Sequence, residues 1–119
     1  MKKIEKLEQA KQQKADLKEW GINRTFYWAY KVSADVNNET IDFEDVIWDK
    51  DVEEIIKHCK EFGIKVITVS SGYSGVIQTL GLFEDKGCKV IGMKKVKSQH
   101  TDFYTQEYKI INAIEIEIH

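Results

Sequence analysis

Residues 64–70 read Ile-Lys-Val-Ile-Thr-Val-Ser, and this stretch decides the fold. It is short, rich in β-branched residues and bounded by glycine on both sides, so it reads as a strand. Ser70-Ser71-Gly72-Tyr73-Ser74-Gly75 follows as a turn. Val76, Ile77, Leu80 and Phe83 then recur at helical spacing, which predicts a helix over 74–86 stopped by Gly87. A second strand is expected over 88–97. Strand, helix and strand make a β-α-β unit, whose two strands run parallel with a right-handed crossover.

Downstream, residues 98–106 read as a polar loop and residues 107–118 as a last, antiparallel strand. Ile114, Ile116 and Ile118 alternate with Glu115 and Glu117, so one face of that strand is wet. Lys94, Lys95 and Lys97 are the expected cross-strand partners of those glutamates.

Upstream, Asp51 opens a helix with Glu54 in a capping-box pattern, a stripe of Val52, Ile55, Ile56, Cys59 and Phe62, and Gly63 as its stop. Segment 39–51 is acidic, and is either a loop with a short strand or a turn of helix. Asn23 is the expected N-cap of a helix over 24–37, ended by Asn37-Asn38. Residues 2–20 read as a first helix stopped by Gly21. Its stripe of Ile4, Leu7, Leu17 and Trp20 is thin because Lys11 and Lys14 interrupt it. The expected fold class is therefore α/β: two N-terminal helices, then a helix and a β-α-β unit ending in an antiparallel strand. The mixed sheet has three or more strands packed by helices. Without proline or a linker in the 119 residues, one domain is expected over 1–119, with 1–20 as a peripheral helix that contacts the partner and whose removal abolishes partner binding but not folding. An open sheet edge makes a homo-oligomer an option.

Charge is uneven along the chain. Residues 1–31 carry eight Lys/Arg and four Asp/Glu, residues 32–56 one Lys and nine acids, and residues 57–119 nine Lys and seven acids. The acidic middle breaks a continuous nucleic-acid footprint, so nucleic acid is not the expected partner. Apolar runs fall short of the roughly 20 residues that span a bilayer, and no apolar leader follows the charged start, so no membrane partner and a cytoplasmic location are expected. Cys59 and Cys88 lack zinc spacing and fit free buried thiols in a reducing compartment.

The stretch Asp42-Phe43-Glu44-Asp45-Val46-Ile47-Trp48-Asp49-Lys50-Asp51-Val52 resembles a family of small uncharacterised proteins of Firmicutes, found on plasmids, conjugative elements and phages. So do Ile67-Thr68-Val69-Ser70-Ser71, Gly87-Cys88-Lys89-Val90-Ile91-Gly92 and Thr101-Asp102-Phe103-Tyr104-Thr105-Gln106-Glu107. The resemblance covers about residues 22–118. It implies an accessory protein of a mobile element inside a bacterial cell and transfers no catalytic residue.

Three stretches are candidate sites. The turn 70–75 lies at the C-terminal end of a parallel strand and the start of a helix, where open α/β sheets hold anions. Ser70, Ser71, Gly72, Ser74 and Gly75 would serve a small anionic or nucleotide-like ligand there; the plainer reading is a serine N-cap and turn glycines. The turn matches neither the P-loop nor GxGxxG nor GxSxG, and no histidine is placed to activate Ser74. In loop 98–106, His100 and Asp102 share a face in an extended chain, and Phe103 and Tyr104 suit partner recognition. In the acidic segment, Asp42, Asp45 and Asp49 would dock on a basic partner or form a solvated face; EF-hand spacing is absent. Phe26, Tyr27, Trp28 and Tyr30 read as core or a dimer surface rather than a base-stacking platform. The leading expectation is a non-enzymatic binding protein acting on an intracellular protein partner, with no cofactor and no metal. A small-ligand sponge or sensor using 70–75 comes next, and an enzyme last.

Overall fold

The computed structural model describes residues 3–36 and 39–119. Its elements are α1 (Glu5–Gln12), α2 (Arg24–Asp35), β1 (Asp42–Phe43), α3 (Asp51–Glu61), β2 (Val66–Val69), α4 (Val76–Asp85), β3 (Lys89–Thr101) and β4 (Tyr108–Glu117). The protein is α/β, and the four strands form one mixed sheet in the order β1-β2-β4-β3. β1 runs parallel to β2, with Asp42 beside Thr68 and Phe43 beside Val69. β4 is antiparallel to both β2 and β3. The strands of the β-α-β unit therefore run the same way, as expected, with the last strand inserted between them.

The long predicted N-terminal helix is cut short: only Glu5–Gln12 is helical, and turns follow as far as Gly21. α1 ends at Gln12, and Lys14 takes a left-handed conformation, φ 49°. Its N–H donates to the Lys11 carbonyl at 3.4 Å and that of Ala15 to the Ala10 carbonyl at 3.0 Å, which together close the helix. The interrupted stripe supplies the reason: a straight continuation would carry Lys11 and Lys14 along the apolar face. A second turn closes the same way at Gly21, φ 67°, where Ile22 N–H donates to the Leu17 carbonyl at 2.9 Å. The shortened helix is not peripheral to the core. Leu7 is fully buried and Ala10 nearly so, and Tyr30 Oη accepts from the Ile4 N–H at 3.1 Å and donates to Glu8 at 2.7 Å. Burying a leucine contributes roughly 1.5–3 kcal/mol. Residues 1–20 thus include part of the core, and their removal exposes it.

α2 starts at the predicted cap: Asn23 Oδ1 accepts from the Phe26 N–H at 2.9 Å. The expected stop at Asn37-Asn38 lies outside the described residues. The aromatic run splits by helical geometry, with Phe26 and Tyr30 buried and Trp28 47% exposed. Phe26 packs on Phe43, His58 and Phe62. The capping box of α3 does not form. Glu54 and Asp51 instead accept from Asn23 Nδ2 at 3.2 and 3.1 Å, and Asp51 accepts from Thr25 Oγ1 at 2.7 Å. A tertiary tie to the start of α2 thus replaces a local cap. Gly63 and Gly87 close α3 and α4 as expected, both with positive φ.

The lysine–glutamate pairing expected across the last two strands does not form either. Lys94, Lys95 and Lys97 stand opposite Ala113, Asn112 and Ile110, while Glu117 stands opposite Lys89 and Glu115 opposite Gly92. β3 runs on to Thr101, so the hairpin turns later than the sequence suggests. A bulge between Val90 and Gly92 shifts the register further. Lys94 pairs with Glu39 instead, at 3.7 Å. Among the described residues no helix is long and apolar enough to cross a membrane.

Candidate functional site

Two of the three candidate stretches fold onto each other, and the base of the third joins them. Asp42 on β1 is 5% exposed and accepts from Thr68 Oγ1 at 2.7 Å and from Ser70 Oγ at 2.6 Å. Its own N–H donates to Ser33 Oγ at 2.9 Å. Burial pushes the Asp42 carboxyl above the usual carboxylate value, against the opposing effect of the Ser70 and Thr68 hydroxyls. Ser71 Oγ donates to the Glu44 carbonyl at 2.9 Å and lies against that of Asp45 as well. The Glu44 carboxylate accepts from Ser98 Oγ at 2.6 and 2.7 Å and from the Gln99 N–H at 3.2 Å. Asp45 accepts from Trp28 Nε1 at 3.0 Å. Between α2 and this segment lies a cavity of about 190 Å³, walled by Trp28, Ala29, Val32, Phe43 and Val46, with carboxylates and Arg24 around it.

The turn 70–75 faces inward. Ser70 and Ser71 direct their hydroxyls at Asp42 and at the 44–45 backbone. Tyr73 Oη donates to the Ile47 carbonyl at 2.9 Å and touches the Thr79 hydroxyl. α4 begins at Val76 with Gly75 as its cap, so Ser74 is not the cap residue and lies exposed beside Gly72. A β-carbon at Gly75 would sit 3.0 Å from the Tyr73 ring. The turn thus clamps segment 42–47, and an anion there would meet the Asp42 carboxyl behind Ser70. Asp49, farther along, is exposed with Trp48 at the edge of a broader cleft that includes Tyr73 and Gly75.

The expected polar loop 98–106 begins as strand, over 98–101, and only its remainder turns. β3 continues to Thr101 and a tight turn spans 102–107, closed by the Asp102 N–H on the Glu107 carbonyl at 2.7 Å. Asp102 Oδ1 accepts from the N–H groups of Thr105 at 3.1 Å and Tyr104 at 2.9 Å, which hold its carboxyl below the usual value. Its carboxylate therefore shapes the turn rather than orienting His100, whose N–H donates to Ser98 Oγ at 3.0 Å. The turn presents Phe103, 82% exposed, and Tyr104, 89% exposed, edge to face with centroids 5.4 Å apart. Ile91, Met93, Tyr108 and Ile110 are also exposed on the two strands below. Of the nine exposed large hydrophobic residues among the described residues, six belong to this one hairpin, so apolar exposure is concentrated and not scattered.

One cluster escaped the sequence reading. The Asn23 N–H donates to His58 Nε2 at 3.0 Å, so the ring proton is on Nδ1, facing Glu61 at 3.3 Å. Both His58 nitrogens are engaged, which removes it as a base for Ser74. Among the described residues no group of three or more His, Cys, Asp or Glu is placed to hold a metal ion. Burial pushes the Cys59 thiol up to about 12 and the Tyr30 hydroxyl, beside Glu8, up to about 12.

Residues 25–118 match DUF7698, a domain of unknown function. The chain belongs to that family. No curated protein matches it, and no solved structure does. The DUF7698 match takes in the carboxylate cluster, the 70–75 turn and the whole hairpin, but not α1.

Proposed function

We propose that this protein is a non-enzymatic binding module that docks on a protein partner through the β3–β4 hairpin. The observation that carries this reading is the concentration of exposed apolar side chains on the hairpin, with Phe103 and Tyr104 at its tip. Exposed aromatic anchors of this kind dominate protein recognition, because they bury large areas with few torsions to freeze. The carboxylates beneath support the same reading. Glu44 fixes the hairpin just below its tip through Ser98 and Gln99, and a surface held in place loses little entropy on docking. Asp45, beside Gln99, and the exposed Asp49 add negative charge for a basic rim. The resemblance of segments 42–52, 67–71, 87–92 and 101–107 to proteins of mobile elements supports a partner inside a bacterial cell and an accessory role there.

A small-anion site at 70–75 has less support, because the Ser70 and Ser71 hydroxyls already donate inward. The test is capture from a bacterial lysate by the full chain and by the double variant Phe103→Ser, Tyr104→Ser. Both side chains are exposed, so the variant should melt within a few degrees of the parent. The reading expects a partner retained by the parent and lost by the variant. Identical capture by both would remove it.

A further inference from the structure

Docking through Phe103 and Tyr104 makes no use of the cavity between α2 and segment 42–46. That cavity, about 190 Å³, is walled by Trp28, Ala29 and Val32 of α2 and by Phe43 and Val46. Ala29 and Phe43 are buried, whereas Arg24, Trp28 and Asp45 are exposed, so it has an apolar floor and opens to solvent between those three. A cavity of about 150 Å³ accommodates benzene, so this one takes a body of about eight heavy atoms.

Its charge is one-sided. Asp42, Glu44 and Asp45 all line it, against Arg24 as the one cationic side chain lining it among the described residues. The donors to these carboxylates are neutral. Asp42 accepts from the Thr68 and Ser70 hydroxyls, and Glu44 from the Ser98 hydroxyl and the Gln99 N–H. Asp45 accepts from the Trp28 indole and the Gln99 amide. A carboxylate offers about four acceptor positions, so capacity remains at each. Asp42 matters most: it is 5% exposed, and a buried carboxylate is ordinarily paired with a cation rather than with two hydroxyls. Carboxylates alone would be only an acidic surface, but these border an apolar hollow walled in part by an indole, whose ring also attracts cations. Lys31 already lies over that ring, 5.6 Å from its centroid.

We propose that this cavity binds a small organic cation, an ammonium group on an apolar body of about eight heavy atoms. The body seats against Ala29, Phe43 and Val46, and the ammonium answers the carboxylates. A neutral molecule of that size would leave the carboxylates unanswered, and an anion would meet Arg24 against three acids. The site is separate from the hairpin tip and does not rest on the docking reading.

The test is a titration of the full chain with benzylammonium, benzyl alcohol and benzoate, which are similar in size and differ in charge. It is followed in the nitrogen–proton correlation spectrum through the Trp28 indole N–H, identified by its loss in Trp28→Phe. At neutral pH the Trp28 signal should move with benzylammonium and saturate with a Kd of about 1 mM or tighter. Benzyl alcohol should bind about tenfold more weakly or less, and benzoate not at all. The double variant Glu44→Gln, Asp45→Asn keeps an acceptor oxygen for Ser98 and for Trp28. In it the advantage of the cation over the alcohol should fall to about threefold or less. Equal binding of benzylammonium and benzyl alcohol would overturn the cation, as would tighter binding of benzoate or no binding of benzylammonium. Movement of the Trp20 or Trp48 signal in place of Trp28 would overturn the location, and an undiminished advantage in the folded double variant would overturn the role of the carboxylates. The three-ligand comparison on the parent decides by itself if the double variant does not fold. Capture through Phe103 and Tyr104 is independent of each of these outcomes.

Discussion

Ser98 donates its hydroxyl to both carboxylate oxygens of Glu44, at 2.6 and 2.7 Å, although Glu44 follows one edge strand and Ser98 lies in the other. The outer half of β3 must therefore curl over the sheet to reach the end of β1. Ser98 is 3% exposed, so its bond is screened from water. Hydrogen bonds to charged groups contribute about 1.5–3 kcal/mol. Ser98→Ala should lower the unfolding free energy by that amount and speed amide exchange over 94–101 more than in α3. Denaturant titration and exchange mass spectrometry read the two effects, and uniform exchange across both elements would count against a local tie.

Asp42 makes stability depend on pH in the direction opposite to most carboxylates. Its folded value is raised by burial above the unfolded value of about 3.9. Below that pH both states are protonated and the contribution is fully present. As pH rises the unfolded chain ionises first, and the contribution is lost through the raised folded value. The unfolding free energy of the parent minus that of Asp42→Asn should therefore fall as pH climbs through this window and then level off. A difference that rises with pH would mean that the hydroxyls of Ser70 and Thr68 outweigh burial.

Cys59 has no exposed surface, and its thiol is pushed up to about 12. Cys88 is also buried. The thiolate is the reactive form. Ellman's reagent at neutral pH should titrate neither cysteine in the native protein and both in denaturant. Fast native labelling would show that the packing of α3 against α4 and the sheet opens readily.

Leu7→Ala should destabilise the protein by about 2–5 kcal/mol, as for other fully buried leucines. Tyr30→Phe, which removes the hydroxyl that joins Ile4 and Glu8, should cost about 1 kcal/mol. Thermal melts of both variants test whether α1 is part of the cooperative core, and an unchanged melting temperature for Leu7→Ala would place it outside.

The β-α-β unit and its closing strand were legible because β-branched runs, helical spacing and stop glycines all agreed over 64–97. Asn23 was legible for the same reason, as a cap with nothing competing for it. The reading failed where a distant partner changed the outcome. Glu54 turned from its own helix to Asn23, and Asp42 and Glu44, which look like a solvated acidic run, found hydroxyls on β2 and β3. The signal for Glu44 was faint: Ser98-Gln99-His100 contains no glycine, proline, asparagine or aspartate, so the strand was free to continue through it. Phe103 and Tyr104 are exposed in the turn where the sequence placed a loop, but which strands lie beside β3 depends on the strand order, which local sequence does not encode.

Photocrosslinking from position 103 tests the docking reading most directly. A benzophenone side chain in place of Phe103 is compared with one in place of Glu53, an exposed position on α3, each in the full chain inside bacterial cells. A discrete crosslinked protein from position 103 and none from position 53 is the predicted result. No crosslink from 103, or the same products from both positions, would contradict docking through the hairpin.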